Sequence, residues 1–188
     1  MDIGTGTGLA AASGTRPFLP PLLTGVLARA DVGIDFSGTD WAFLESTGFM
    51  FAILLLAVAW YMAERSGAPE RAMRGFGLAL SVVLGALLFA GALAAGGHSA
   101  IPGLVAGAAV AALAFAAVYS LLGRTARRLD DDAARFLVLY ADAVALALTA
   151  IAIFVAPLSF LVLIAFVLIL LRGRAAADRK YAGLRILR

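Results

Sequence analysis

The chain has no cysteine, one histidine and one lysine, and only 14% of its 188 residues carry charge. Without cysteine there is neither a disulfide framework nor a thiolate metal site. The lone histidine, His98, falls in a predicted turn with no companion ligand at helical spacing, so an imidazole metal site is not expected. The shortage of charge is the most restrictive absence. Soluble domains carry about 25% charged and about 45–50% apolar residues, whereas here 63% are hydrophobic and the mean hydropathy is +0.98. A soluble fold of this length cannot hide that much apolar surface. A water-soluble enzyme or binding module is excluded.

A basic stripe is also missing, although the net charge is +3 and the isoelectric point near 9.8. The excess sits in residues 172–188, where Arg172, Arg174, Arg179, Lys180, Arg185 and Arg188 face only Asp178. The preceding part is slightly acidic, so nucleic acid is not an expected partner. Fourteen arginines to one lysine, with abundant alanine, is a habit of GC-rich bacterial genomes.

What remains is a succession of apolar runs: 3–27, 47–62, 75–96, 101–122, 136–156 and 158–171. A crossing needs about 20 such residues. The expected architecture is therefore an all-α integral membrane protein of about six transmembrane helices. Its first segment is broken or re-entrant, because Gly14, Pro17, Pro20 and Pro21 interrupt it and each proline removes a backbone donor. Residues 1–171 form the polytopic domain and 172–188 a basic tail suited to an anionic lipid surface. A small-residue sequence, Ala28-Arg29-Ala30, would suit signal-peptide cleavage, but Asp2 and the absence of early Lys or Arg argue against it.

Orientation follows from the basic loops. Arg65, Arg71 and Arg74 lie in one connection, Arg124, Arg127, Arg128 and Arg135 in the next but one, and the tail continues the alternation. The loop 31–45 holds four acids and no Lys or Arg. Positive-inside counting then places the protein in the bacterial inner membrane with both termini cytoplasmic.

Few residues in the apolar runs carry chemistry. Arg16 and Asp142 are the ionisable groups inside predicted spans, where a charge costs about 2.5–3.5 kcal/mol on insertion scales and needs a partner or water. Thr149 shares a helical face with Asp142. Around the break, Ser13, Gly14, Thr15 and Arg16 offer hydroxyls, backbone amides and a cation, a set suited to an anion. The candidate substrate or ion-binding residues are therefore Ser13, Gly14, Thr15, Arg16, Asp142 and Thr149; an Arg16–Asp142 pair that only fixes packing is the competing reading. Gly4-Thr5-Gly6-Thr7-Gly8 lacks the Lys-Ser/Thr of a P-loop. Asp130, Asp131 and Asp132 suit a helix start better than a metal. No catalytic constellation, metal site or cofactor is expected. Gly77, Ser81 and Gly85, and Gly103, Gly107 and Ala111, form small-residue stripes for close helix packing within the chain or in a homo-oligomer.

Two stretches carry a resemblance. Gly8-Leu9-Ala10-Ala11-Ala12-Ser13-Gly14-Thr15-Arg16-Pro17-Phe18-Leu19-Pro20 is similar to the start of the bacterial membrane-protein family called domain of unknown function 4126, and residues 180–188 resemble its closing segment. The resemblance implies a multi-span membrane protein and brings no activity with it. The leading functional reading is a transporter or channel for a small solute or ion, with its polar site at the broken first helix. The alternative is an accessory or scaffold subunit of a membrane complex.

Overall fold

The computed structural model describes residues 2–126 and 131–182, with side chains placed at 2–122, 136 and 139–173. Among the described residues all regular structure is helical: α1 (Asp2–Thr15), α2 (Leu19–Arg29), a 3-10 turn (Ala42–Glu45), α3 (Thr47–Arg65), α4 (Glu70–Ala95), α5 (Ile101–Ala126), α6 (Asp131–Phe154) and α7 (Leu158–Ala182). Three are long and apolar enough to cross a membrane: Thr47–Arg65, Glu70–Ala95 and Ile101–Leu122. Two shorter apolar stretches lie at Leu139–Phe154 and Leu158–Gly173. The acidic triplet falls at the edge of the description: Asp130 lies outside the described residues and Asp131 opens α6. The helix α7 runs on past Leu171 to Ala182, so the basic tail begins as a continuation of a helix; residues 183–188 lie outside the described residues.

Helix ends follow local chemistry. Ser46 caps α3, its hydroxyl accepting from the Phe49 amide at 3.2 Å. After α4 the chain reverses through Gly97, whose φ of +76° is open to glycine, and the His98 amide closes onto the Leu93 carbonyl at 2.9 Å. Pro157 ends the α6 ladder and lets α7 start at once.

The centre of the bundle is α1. Residues 4–15 are all buried, with α4, α5, α6 and α7 around them. Four glycines in 14 residues make this a poor helix by propensity, since each costs about 1 kcal/mol relative to alanine. Close approach explains them. A Cβ on Gly6 would sit 2.7 Å from the Phe89 ring, and one on Gly14 would sit 2.5 Å from the Ala111 carbonyl oxygen. A narrow helix lets four neighbours pack on one axis, while its own ladder satisfies its backbone in an apolar surround. The small-residue stripes of α4 and α5 are likewise spent inside the chain: Gly85 faces Ala111 and Ala10, and Gly107 faces the Gly85 carbonyl and Phe89.

The first segment is two helices, not one. Asp2 lies beside Gly96 and His98, and Gly4 beside Ala156, at the end of the bundle that carries the α4–α5 and α6–α7 turns. The chain runs inward along α1, turns at Arg16, Pro17 and Phe18, and returns along α2, so that Gly33 meets Ile153 at the end where it started. At 1.5 Å per residue α1 is about 21 Å long and α2 about 16 Å, each short of a bilayer core of about 30 Å. The expected break is there, and the chain folds back at it. Asp2 lies at the end of the bundle that carries the α6–α7 turn, from which α7 leads away.

Candidate functional site

The hairpin tip is built from residues that make a buried reversal tolerable. The Arg16 amide completes the α1 ladder on the Ala12 carbonyl at 3.1 Å. The next helix begins Leu19-Pro20-Pro21, so two of the first-turn positions that would hold orphan donors have none to lose. The prolines that interrupt the sequence pattern are therefore a helix start. The guanidinium of Arg16 lies just past the C-terminus of α1, where the helix dipole favours a cation.

That cation is held by an ion pair. Arg16 Nε is 2.7 Å from Asp142 Oδ1, and the Tyr61 hydroxyl donates to Asp142 Oδ2 at 3.2 Å. The contact ties the hairpin tip to α6 and to the last turns of α3. The two charged side chains keep 17% and 20% of their exposure, so the pair is partly screened and forms part of a wall, not a sealed core.

The wall belongs to a cavity of about 270 Å³ on the tip side of the hairpin. Its floor is Gly14, Thr15, Arg16 and Pro17; its sides are aromatic, from Phe18, Trp60, Tyr61, Phe115 and Tyr119. Glu64, at the end of α3, and Glu70 and Arg74, at the start of α4, add charge to it, beside the apolar Leu19, Met73, Val118 and Leu122. The Trp60 indole donates to Glu64 Oε1 at 2.9 Å, and the Tyr119 hydroxyl donates to Glu70 Oε1 at 2.6 Å. The Arg74 guanidinium lies 4.3 Å above the Tyr119 ring centre, a cation–π contact. Phe18 tilts against Trp60 at 5.9 Å, and Phe115 stacks on Tyr119 at 6.0 Å.

The six candidate residues divide. Gly14, Thr15 and Arg16 line the cavity, and Asp142 stands behind Arg16 and Tyr61. Ser13 is fully buried and donates to the Leu9 carbonyl at 2.9 Å, while Thr149 is fully buried and donates to the Ala145 carbonyl at 2.8 Å. Neither lines the cavity. Thr15 also donates to its own helix, to the Ala11 carbonyl at 3.3 Å. Hydroxyl protons in this segment are therefore directed at helix carbonyls, and the cation at the tip already faces a carboxylate; both weaken the case for an anion site.

Sequence reasoning passed over Trp60, Tyr61, Glu64, Glu70, Arg74 and Tyr119. They read as interfacial aromatics and loop charges. For five of them the available signal was a position flanking one loop, with Trp60, Tyr61 and Glu64 before it and Glu70 and Arg74 after it; Tyr119, on α5, had no such signal.

The opposite end of the bundle is also polar. Asp2, Thr5, Asp35, Ser37 and Thr39 line a small recess, and hydrogen bonds from the Ser37 hydroxyl and amide hold the Asp35 carboxyl below the usual carboxylate range. Asp2 lies 3.6 Å from His98. Between this recess and the cavity stand Leu9, Ala10, Ala11 and Ala12, all at 0% exposure. Among the described residues no group of three His, Asp or Glu side chains is gathered to hold a metal ion.

The fold and site define an α-helical protein of membrane character, with a buried helical hairpin whose tip forms the floor of a polar, aromatic cavity. The chain belongs to the family described as domain of unknown function (DUF4126), whose model matches residues 3–174. No curated protein and no solved structure matches it.

Proposed function

We propose that this chain is a small polytopic inner-membrane transporter or channel for a small solute or ion, with its site at the tip of the α1–α2 hairpin. The observation that carries the reading is the cavity whose floor is the break between the two half-length helices, with Arg16 in that floor. Non-helical backbone at membrane depth is tolerated where it is buried in protein or lines a water-filled space, and half-helix ends there serve as solute sites. In this reading α3 to α7 make five crossings, and the hairpin dips in from the side of the acidic loop 31–45. The end with Arg65, Arg71 and Arg74 is then cytoplasmic by the positive-inside rule, and the cavity opens toward it. Buried residues 9–12 separate the cavity from the far end of the bundle; in this reading passage requires the hairpin to move against α4 and α5.

The second reading is an accessory or scaffold subunit. It is favoured by the Arg16–Asp142 pair, which cross-links hairpin and bundle and needs no solute.

The cysteine-free chain gives a direct test. Thr15→Cys, in the cavity floor, is labelled with a membrane-impermeant maleimide applied to either face of sealed vesicles. Transport predicts labelling from both faces as the hairpin moves. Labelling from the cytoplasmic face alone, under every solute and ion gradient applied, leaves a fixed scaffold and removes the transport reading.

A further inference from the structure

We propose that the cavity at the hairpin tip binds a small organic cation with an apolar body. The inference rests on reading this cavity as a ligand site and names the class of ligand it takes.

The argument is a charge account of the walls. Arg16 is paired with Asp142 at 2.7 Å, so its positive charge is matched from within the protein. Arg74 lies over Tyr119 at 4.3 Å, and that same tyrosine donates its hydroxyl to Glu70. Glu64 and Glu70 have no ion-pair partner within 4.0 Å among the described residues, so with Asp142 counted behind Arg16 the described groups at the cavity are three carboxylates against the two guanidiniums of Arg16 and Arg74. Each of the two carboxylates is anchored through one oxygen by an aromatic donor, Trp60 for Glu64 and Tyr119 for Glu70. Fixed acceptors cost a ligand less ordering entropy than mobile ones. Aromatic faces supply the second half of the recognition, because their negative quadrupole attracts a cation and their area covers an apolar body.

The same walls argue against other classes. A bare metal ion needs about six oxygen ligands, or several retained waters, in place of its hydration shell, and aromatic faces do not provide them. An anion would have to displace Asp142 from Arg16 and approach two carboxylates. With a volume of about 270 Å³, the cavity suits a ligand of about one aromatic ring and a substituted ammonium group, at the small end of ligand pockets.

Three probes of similar shape separate the classes: phenyltrimethylammonium, its neutral carbon isostere tert-butylbenzene, and benzenesulfonate. Binding is measured by titration calorimetry on the full chain in lipid nanodiscs. The emission of Trp60 locates the event, with Trp41→Phe removing the only other indole. The expected result is saturable binding of the cation, at least tenfold tighter than of either other probe, with a change in Trp60 emission. Glu64→Gln with Glu70→Gln weakens it at least tenfold while the circular dichroism stays helical; should that pair fail to fold, each single variant carries the same test with a smaller loss. Equal affinity for tert-butylbenzene, preference for benzenesulfonate, no binding of the cation, or indifference to the glutamine variants overturns the proposal. Cation binding with one-sided Thr15→Cys labelling leaves the ligand class standing and removes transport; two-sided labelling with an anion preference does the reverse.

Discussion

Helices α1 and α3 invert the order that hydropathy suggests. The first is a string of glycine, threonine and alanine, yet from Gly4 onward every residue in it is buried. The second is rich in Phe, Leu, Ile and Met, yet Phe51, Leu54, Leu55, Val58 and Met62 are exposed and only Ile53 and Ala57 are buried. In water the larger apolar side chains would occupy the core. Next to lipid no such force sorts them, and close packing of small residues decides which helix is central. Side-chain size, not hydrophobicity, separates the axis of this protein from its rim.

The sharpest way to break that contrast is to enlarge the axis. Gly14→Leu forces α5 away, since even a Cβ would meet the Ala111 carbonyl oxygen at 2.5 Å and the Phe115 amide at 2.9 Å. The expected cost reaches or passes the upper end of the about 1–3 kcal/mol typical of overpacking, read as loss of monodisperse protein in detergent and a lower Tm. An unchanged Tm would mean that α1 is not tightly held.

Removing the charge at the end of the axis comes next. Asp142→Ala leaves Arg16 without its carboxylate and is expected to cost about 1–3 kcal/mol, less than for a fully sealed pair because solvent reaches both side chains. Arg16→Met with Asp142→Leu should recover part of the loss. A double-mutant cycle measures the coupling, and a coupling near zero would show that the two groups act separately.

Effects at the rim should be smaller. Ser46→Ala removes the cap of α3, at an expected cost of about 1 kcal/mol. Amide exchange confined to the first turn of α3 would report it. Leu55→Ala, on the exposed face of the same helix, is expected to change stability by less than about 0.5 kcal/mol; a larger drop in Tm would reveal a protein contact on that face.

Much of this was legible before any coordinates. The apolar runs place α3 to α6 to within about five residues and the start of α7, but not its end at Ala182, and Pro157 and Gly97 mark reversals that occur. Arg16 and Asp142 stand out as the charges that neither orientation nor surface chemistry accounts for, and they meet. The proline cluster announces a break. It does not say whether the chain continues across or folds back, because Pro20 and Pro21 suit a fresh helix start in either direction. The cavity walls were not legible. Trp60, Tyr61, Glu64, Glu70, Arg74 and Tyr119 are ordinary residues for a membrane interface, and they become a site only when the hairpin tip comes to rest among them.

Composition and periodicity by themselves determined the helical, membrane-type class, the approximate helix positions and the family resemblance, since each depends on local hydrophobicity or on short motifs. Tertiary structure alone decided that α1 is the axis, that the first segment returns to the end where it began, and that Ser13 and Thr149 turn their hydroxyls to their own helices and away from the cavity. Those outcomes depend on which helix faces meet, and in an apolar surround that is set by how closely backbones can approach one another across glycine and alanine.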